Sequence, residues 1–148
     1  MSVAAQIYDI HCIDAQNLLV KDFRTSDPYL KFYLKNKGPS TAIQSTVIKS
    51  NLNPTWDQHL TLNAVDIADT LVVELYDYDK GSNDDPMMEP LEFPLTSISP
   101  QAPIDFNNDI QYKGKPAGHL HFTITCLTQG ALEQPVPGAE VTQQPAIS

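Results

Sequence analysis

Residues 26–35 read Ser-Asp-Pro-Tyr-Leu-Lys-Phe-Tyr-Leu-Lys, a turn marked by proline that opens directly into a strand-like alternation. After the proline, apolar side chains recur at every second position, and lysine or tyrosine fills the positions between them. A period of two is typical of a β-strand with one face on a core and the other in water. We therefore predict a strand over residues 29–35.

The same pattern recurs along the chain. Four further segments alternate in this way: residues 7–13, 60–62, 71–76 and 119–127. Residues 41–49 are rich in β-branched side chains and predict another strand. Residues 91–98 predict a short edge strand, because Pro94 has no backbone N–H to donate to a ladder. No stretch of ten or more residues has a convincing helical period, so the chain predicts an all-β fold, an eight-stranded antiparallel Greek-key β-sandwich.

Length and composition predict one domain with a tail. A chain of 148 residues with 41% hydrophobic residues has enough apolar side chains for one sizeable core, which we assign to residues 1–129. Residues 130–148 contain three prolines, three glutamines and no aromatic residue, so we expect a disordered, flexible tail. Its prolines leave open a second interpretation, a binding segment for a protein partner.

Charge and cysteine content exclude several classes of protein. The net charge of −9 argues against nucleic acid as a partner. No apolar run approaches the length of about 18 residues that a membrane span needs, and no basic N-terminal region precedes an apolar stretch. Two cysteines, Cys12 and Cys126, are too few for a disulfide scaffold and predict buried, reduced thiols in a cytoplasmic protein.

Aspartates concentrate in two short segments about fifty residues apart, loop 1 (residues 21–27) and loop 3 (residues 77–85). Their carboxylates are Asp22, Asp27, Asp77, Asp79 and Asp85. Each loop follows a strand-like run, so a fold that joins them would form a bowl of like charges that repel one another. Calcium takes about 6–8 oxygen ligands, including carboxylates, and relieves such repulsion. The sequence therefore predicts a calcium site on two loops.

Four segments, in this order, resemble the C2 domain family, the calcium-dependent phospholipid-binding β-sandwich module. They are Ser26-Asp27-Pro28-Tyr29, Asn53-Pro54-Thr55-Trp56, Asp77-x-Asp79 with Asp85, and Gly118-His119-Leu120-His121-Phe122. The resemblance covers about residues 4–128. One strand precedes the first aspartate loop and a complete strand follows the last turn, which resembles the type II order and implies that the first and last strands are neighbours.

The resemblance implies a ligand set. The five carboxylates, with the backbone carbonyls of Lys21 and Tyr78, match the family's positions for two calcium ions, and Ser82 matches the position that helps hold a third. The implied function is calcium-dependent recruitment from the cytoplasm to anionic phospholipid, either phosphatidylserine or a phosphoinositide. In loops 1 and 3 we assign lipid contacts to Phe23, Arg24 and Lys80. Lys31, Lys35 and Lys37 are either a basic patch for phosphoinositide headgroups or an ordinary solvated face.

Two alternatives remain at this stage. Loop 1 is one residue shorter than usual and the tip of loop 3, Lys80-Gly81, lacks a bulky apolar side chain. These departures favour a protein–protein interaction module in which calcium is structural or absent and a partner binds a strand face or residues 130–148.

His11, His119 and His121 are expected to point outward, as zinc ligands or as ordinary strand residues. No signature of a nucleophile, metalloprotease or phosphate-binding loop is present, so we predict that the chain is not an enzyme.

Overall fold

β-Strands dominate the computed structural model, which describes residues 6–19, 26–81 and 83–128. Within these residues there are nine strands and two single-turn 3₁₀ helices, Pro39–Thr41 and Leu95–Ser97. The strands are β1 Gln6–Gln16, β2 Pro28–Leu34, β3 Ile43–Gln44, β4 Thr55–Ala64, β5 Thr70–Asp77, β6 Asp85–Pro86, β7 Leu91–Pro94, β8 Ile104–Tyr112 and β9 Lys115–Cys126.

The strands form two antiparallel sheets. The first sheet has the order β4-β1-β9-β8, and the second has the order β3-β2-β5-β6, with β7 also pairing with β5. The predicted two-sheet sandwich is therefore confirmed. The last strand lies between β1 and β8, with Ile10 opposite Ile124, so the predicted neighbourhood of the first and last strands is confirmed as well.

Aromatic and aliphatic side chains from both sheets meet in one core. Phe32 of the second sheet and Phe122 of the first are fully buried, and their rings meet edge to face at 6.0 Å. Each belongs to a strand that alternates buried and less buried positions, which is why the alternation in the sequence locates them. Cys12 and Cys126 are buried and unpaired, as predicted. Burial, with a smaller effect from Asp9, raises the pKa of the Cys12 thiol to about 12, so this thiol stays protonated.

Three predicted strands are wrong in their extent. Residues 60–62 are only part of the ten-residue β4, Thr55–Ala64, which pairs with β1 along most of its length. Residues 41–49 give only the two-residue β3, because the chain leaves the ladder at Ser45, whose buried hydroxyl accepts a hydrogen bond from the Leu30 N–H. Residues 91–98 form a strand only to Pro94, after which the chain turns into a 3₁₀ helix. As predicted, β7 is an edge strand, and β5 is its one partner among the described strands.

Two strands were not predicted from the sequence, the nine-residue β8 and the two-residue β6. β8 contains Asn107, Asn108 and Asp109, which are disfavoured in strands and interrupt the apolar alternation. It forms because its nine residues pair with the long strand β9 at the edge of the first sheet. With β6, a two-residue pairing at the exit of loop 3, the described residues contain nine strands rather than eight.

Strand direction brings the aspartate loops to one end of the sandwich. β2 begins and β5 ends at this end, where Pro28 lies opposite Asp77, and β6 begins there with Asp85 opposite the same Asp77. Loop 2 (residues 45–54) reaches this end too, since its Asn51 N–H donates to the Ser26 carbonyl at 3.0 Å. Three loops from distant parts of the chain thus share one rim.

Candidate calcium and membrane site

Loops 1 and 3 are joined through two aspartates. The Asp27 N–H donates to Oδ1 of Asp77 at 2.9 Å, and the Tyr78 N–H donates to the Asp27 carbonyl at 3.0 Å. In the first bond the loop 3 partner is the Asp77 carboxylate, and in the second it is the backbone N–H of the next residue, Tyr78. Both bonds use backbone N–H donors, so among the described residues they join the two loops without a basic side chain.

Loop 2 supports the Asp27 carboxylate from the other side. The Ser50 N–H donates to Oδ1 of Asp27 at 2.8 Å, and Ser50 takes a positive φ of 51° to do so. Ser26, the residue before Asp27, is buried, and its carbonyl accepts the N–H of Asn51. The backbone on both sides of Asp27 is therefore fixed before any ligand arrives, which is the preorganisation that a binding site requires.

Asp77 lies at the electrostatic centre of this end. Partial burial raises the pKa of the Asp77 carboxyl, and the negative charges of Asp27, Asp85 and Asp79 raise it further. The hydrogen bond from the Asp27 N–H acts in the opposite direction and lowers it. Four carboxylates from two loops therefore act on one another, which is the condition under which a cation binds favourably.

Asp84 organises the tip of loop 3, a role that the sequence did not indicate. Its Oδ1 accepts the Asp79 N–H at 2.9 Å, and its Oδ2 accepts the hydroxyl of Tyr29. Oδ1 of Asp79 in turn accepts the Gly81 N–H at 3.0 Å, an aspartate turn typical of tight loops. Tyr29 is buried, so Asp84 ties the loop to the second sheet.

A family model described as the C2 domain matches residues 6–112. The chain belongs to the C2 domain family. Its β4-β1-β9-β8 and β3-β2-β5 sheets, with the aspartate loops at one end, are the architecture that the resemblance implied.

Relatives of this C2 domain are longer proteins. It is 33% identical to Tricalbin-2 of Saccharomyces cerevisiae over 110 residues. The match covers 72% of this chain and 9% of Tricalbin-2. It is also 38% identical to Synaptotagmin-3 of Arabidopsis thaliana over 104 residues. That match covers 68% of this chain and 19% of Synaptotagmin-3. The chain thus spans a fifth or less of these relatives, which support membrane or lipid binding as the coarse function of the domain.

Solved C2 structures superpose on this one closely. A C2 domain of plant Extended Synaptotagmin 1 matches with a TM-score of 0.70 and 22% identity, over 85% of this chain and 95% of that chain, and shows the fold alone. The calcium-bound tandem C2 domains of Extended-Synaptotagmin 2 match with a TM-score of 0.70 and 29% identity, over 86% of this chain and 48% of that chain. Among the described residues, the C2 domain has no helix of the length and apolarity that a membrane crossing takes.

The rim of the C2 domain contains part of the predicted ligand set. Asp27, Asp77, Asp79, Asp85 and Tyr78 all lie in the described parts of loops 1 and 3. Lys80, predicted as a lipid contact, is also described and is exposed on loop 3. The remaining predicted site residues of these loops lie outside the described residues: Lys21, Asp22, Phe23, Arg24 and Ser82. So does the predicted tail, residues 130–148.

The donor set fits calcium by its chemistry. Every predicted ligand offers oxygen, and the carboxylates that the structure describes already act on one another at Asp77. Within residues 6–19, 26–81 and 83–128, however, no three His, Cys, Asp or Glu side chains are arranged to hold an ion. The described carboxylates therefore supply the charge and the oxygen atoms but not a complete coordination shell.

The three lysines of the predicted basic patch have different surroundings. Lys35 Nζ lies 3.3 Å from Oε1 of Glu92 in an exposed ion pair. Lys31 Nζ lies 4.6 Å from the centroid of the Tyr76 ring. Lys37 follows β2 at the end of the sandwich opposite the aspartate loops, where it lines a surface cavity of about 310 Å³. Glu92 thus opposes the charge of Lys35, and the basic patch for phosphoinositide headgroups stays a prediction.

The histidines of the C2 domain each pair with a different aspartate. His119 Nδ1 lies 2.9 Å from Asp109, and His121 Nε2 lies 2.9 Å from Asp105 on the neighbouring strand. His11 and His59 stack with their ring centroids 4.0 Å apart, and each contacts its own aspartate, Asp57 and Asp9 respectively. No third ligand joins any of these pairs in the described residues, so the arrangement does not support the zinc alternative.

Proposed function

We propose that this C2 domain binds anionic phospholipid membranes in a calcium-dependent manner through loops 1 and 3, and that it is a binding module rather than an enzyme. The hydrogen bond between Asp27 and Asp77, together with the raised pKa of Asp77, carries the proposal. The calcium-bound state of Extended-Synaptotagmin 2, a relative in structure at 29% identity, supports it. The preferred lipids are phosphatidylserine or a phosphoinositide.

The residues proposed to hold calcium are the carboxylates of loops 1 and 3 and two backbone carbonyls. They are Asp22, Asp27, Asp77, Asp79 and Asp85, with the carbonyl oxygens of Lys21 and Tyr78; Ser82 contributes to a third ion. When bound, calcium supplies positive charge and open coordination positions for lipid phosphate oxygens. Five carboxylates carry about −5 and two calcium ions +4, so the bowl changes from strongly negative to nearly neutral.

The rim then favours an anionic surface. Loops 1 and 3 contain the basic residues Lys21, Arg24 and Lys80, and their positive charge is no longer outweighed by the carboxylates. Phe23 is the apolar side chain of loop 1 that enters the interface, and its burial contributes about 1–3 kcal/mol. Calcium and lipid share the site, so each strengthens the binding of the other by the same factor. A rise in calcium therefore moves the domain from the cytoplasm to the membrane.

Vesicle sedimentation tests the proposal. The protein is expected to pellet with mixed phosphatidylcholine–phosphatidylserine vesicles in calcium, and to remain in the supernatant with chelator or with pure phosphatidylcholine. Asp77→Asn with Asp79→Asn removes two carboxylates of loop 3 and should abolish pelleting. The matched control, Asp105→Asn with Asp109→Asn, removes the same charge from the first sheet and should pellet normally. Normal pelleting of the loop variant would falsify the proposal.

A second candidate function is protein binding in which calcium is structural or absent. One observation favours it, namely that no three-ligand group is arranged for an ion in the described residues. The partner would bind a strand face or the proline-containing segment 130–148. Calorimetric titration separates the two functions, because an absence of heat on calcium addition, both without and with lipid, selects protein binding. Loss of a partner on deletion of residues 130–148 would support the same conclusion.

A further inference from the structure

A small surface cavity lies beside the exit of loop 3, and its described lining includes none of the carboxylates assigned to calcium. Its volume is about 210 Å³, below the range of about 300–1,000 Å³ typical of small-molecule pockets, so it suits one or two side chains of a partner. Seven residues line it: Glu74, Tyr76, Pro86, Met88, Glu89, Pro90 and Tyr112. They come from both sheets and from the connection between β6 and β7.

The cavity combines apolar walls with negative charge. The buried Met88 and the rings of Tyr76 and Tyr112 provide apolar and aromatic surface. Glu74 and Glu89 add two carboxylates, and neither forms an ion pair in the part of the chain that the structure describes. A cationic side chain with an aliphatic stem, lysine or arginine, matches this combination.

Hydrogen bonds fix both carboxylates at the cavity. Oε2 of Glu89 accepts the Lys113 N–H at 2.6 Å, and the Glu89 N–H donates to the Gln111 carbonyl at 2.9 Å. Oε2 of Glu74 accepts the hydroxyl of Tyr33 at 3.1 Å. A carboxylate has about four acceptor positions, so each can still accept a further donor, and neither has to be repositioned when a ligand binds.

The tyrosine rings of this cavity already contact cations of the chain itself. Lys31 Nζ lies 4.6 Å from the Tyr76 ring centroid, and Lys113 Nζ lies 5.4 Å from that of Tyr112. The face of each ring thus accepts a positive group.

We propose that this cavity binds a lysine or arginine side chain from a basic segment of a protein partner. The surface is distinct from the calcium-dependent membrane site and needs neither calcium nor lipid. It adjoins the basic patch expected on the second sheet at Lys31, which contacts the Tyr76 ring, but it differs in its ligand, because Glu74 and Glu89 select a group of positive charge.

Amide NMR of the full chain in chelator, without lipid, tests the inference with a tetra-arginine peptide as the probe. Shifts are expected at Met88, Glu89 and Tyr112. Glu74→Gln with Glu89→Gln should weaken binding by about tenfold, which corresponds to about 1.4 kcal/mol. The control Asp105→Asn with Asp109→Asn removes the same charge and should change the affinity by less than about twofold.

Three outcomes would overturn the inference. Equal weakening in both double variants means that the peptide responds to net charge alone. Shifts confined to Asp27 and Asp77 mean that it binds in the calcium bowl. Shifts of the cavity residues by phosphocholine but not by the peptide mean that the cavity binds a lipid headgroup. Asp77→Asn with Asp79→Asn should leave peptide binding at the cavity unchanged. The cavity proposal can therefore fail while the membrane proposal stands, and the reverse, so the experiments distinguish the two failures.

Discussion

The backbone N–H of Asp27 donates to the carboxylate of Asp77 across fifty positions of sequence. This contact joins loop 1 to loop 3, yet it concentrates negative charge, because Asp79 and Asp85 act on the same carboxyl. Hydrogen bonds therefore order the rim of the sandwich, while repulsion between its carboxylates destabilises it. Because calcium would remove the repulsion, mutation of these carboxylates should have different effects in chelator and in calcium.

Removal of the Asp77 charge should stabilise the calcium-free protein. The pKa of Asp77 is raised above its ordinary value of 3.8 in the folded state, so the folded state binds this proton more tightly than the unfolded state does. The contribution of Asp77 to the free energy of unfolding is thus most favourable below pH 3.8 and falls as the pH rises through the raised pKa. Asp77→Asn removes the charge and keeps an oxygen acceptor for the Asp27 N–H.

Differential scanning fluorimetry in chelator measures this effect. The melting temperature of Asp77→Asn should exceed that of the wild type at neutral pH by a few degrees, on the scale of about 2–8 °C per kcal/mol. The difference should shrink as the pH falls toward 4. A lower melting temperature for Asp77→Asn at neutral pH would contradict the electrostatic account of this rim.

Calcium should reverse that order of stability. An ion that binds only the folded state stabilises it by about 2.7 kcal/mol at a concentration one hundred times its dissociation constant. The wild type should therefore gain melting temperature as calcium is added, whereas Asp77→Asn with Asp79→Asn should not. Asp105→Asn with Asp109→Asn serves as the charge-matched control and should gain as the wild type does. An equal gain in the loop variant would place the ion elsewhere.

Tyr29 is predicted to influence calcium affinity without contacting the ion. Its hydroxyl donates to Asp84, which in turn accepts the N–H of Asp79. Tyr29→Phe removes the donor and keeps the buried ring, so the sandwich should stay folded while the tip of loop 3 loosens. Loss of such supporting hydrogen bonds typically weakens metal affinity by about tenfold or more.

Isothermal titration of calcium compares Tyr29→Phe with Tyr33→Phe. Tyr33 lies in the same strand and donates its hydroxyl to Glu74, away from loop 3, so its variant should bind calcium as the wild type does. Equal affinities for Tyr29→Phe and the wild type would mean that Asp84 does not position Asp79.

Most of the fold follows from the alternation of apolar residues, and the exceptions have local causes. The bounds of β2 and β5 were predicted within two residues. Each strand buries one face in the core and partly buries the other, so apolar residues mark it along its whole length. β8 escaped prediction because Asn107 and Asn108 dilute the pattern, and its stability comes from pairing with β9. A strand that depends on its neighbour leaves a weak signal in its own sequence.

The candidate site was predictable in part for the same reason. Two aspartate loops that follow strands can be located from spacing, and the resemblance to C2 domains implies that they meet. The role of Asp84 was not predictable, since its partner Tyr29 lies 55 positions away and no local pattern links them. The cavity beside loop 3 was missed too, because Glu74 and Tyr112 belong to different sheets and come together only in the folded domain.

Gly118 should be essential for the end of the sandwich that holds the loops. It takes a φ of 122° opposite the end of β1, where an added Cβ would lie 2.7 Å from the Gln16 carbonyl oxygen and 2.9 Å from that of Asn17. Both are backbone atoms, which cannot move aside as a flexible side chain can. Gly118→Ala therefore combines backbone strain with a steric clash, and we expect it to lower the free energy of unfolding by about 2–4 kcal/mol.

Gly38 provides the matched control for this substitution. It also has a positive φ, 88°, but an added Cβ there meets no atom within 4 Å. Gly38→Ala should thus cost only the backbone strain, about 1 kcal/mol. Urea denaturation of the two variants separates the terms, because their difference isolates the contact with the Gln16 and Asn17 carbonyls. Equal losses in the two variants would show that the chain relaxes around Gly118 and that this close approach is not required by the fold.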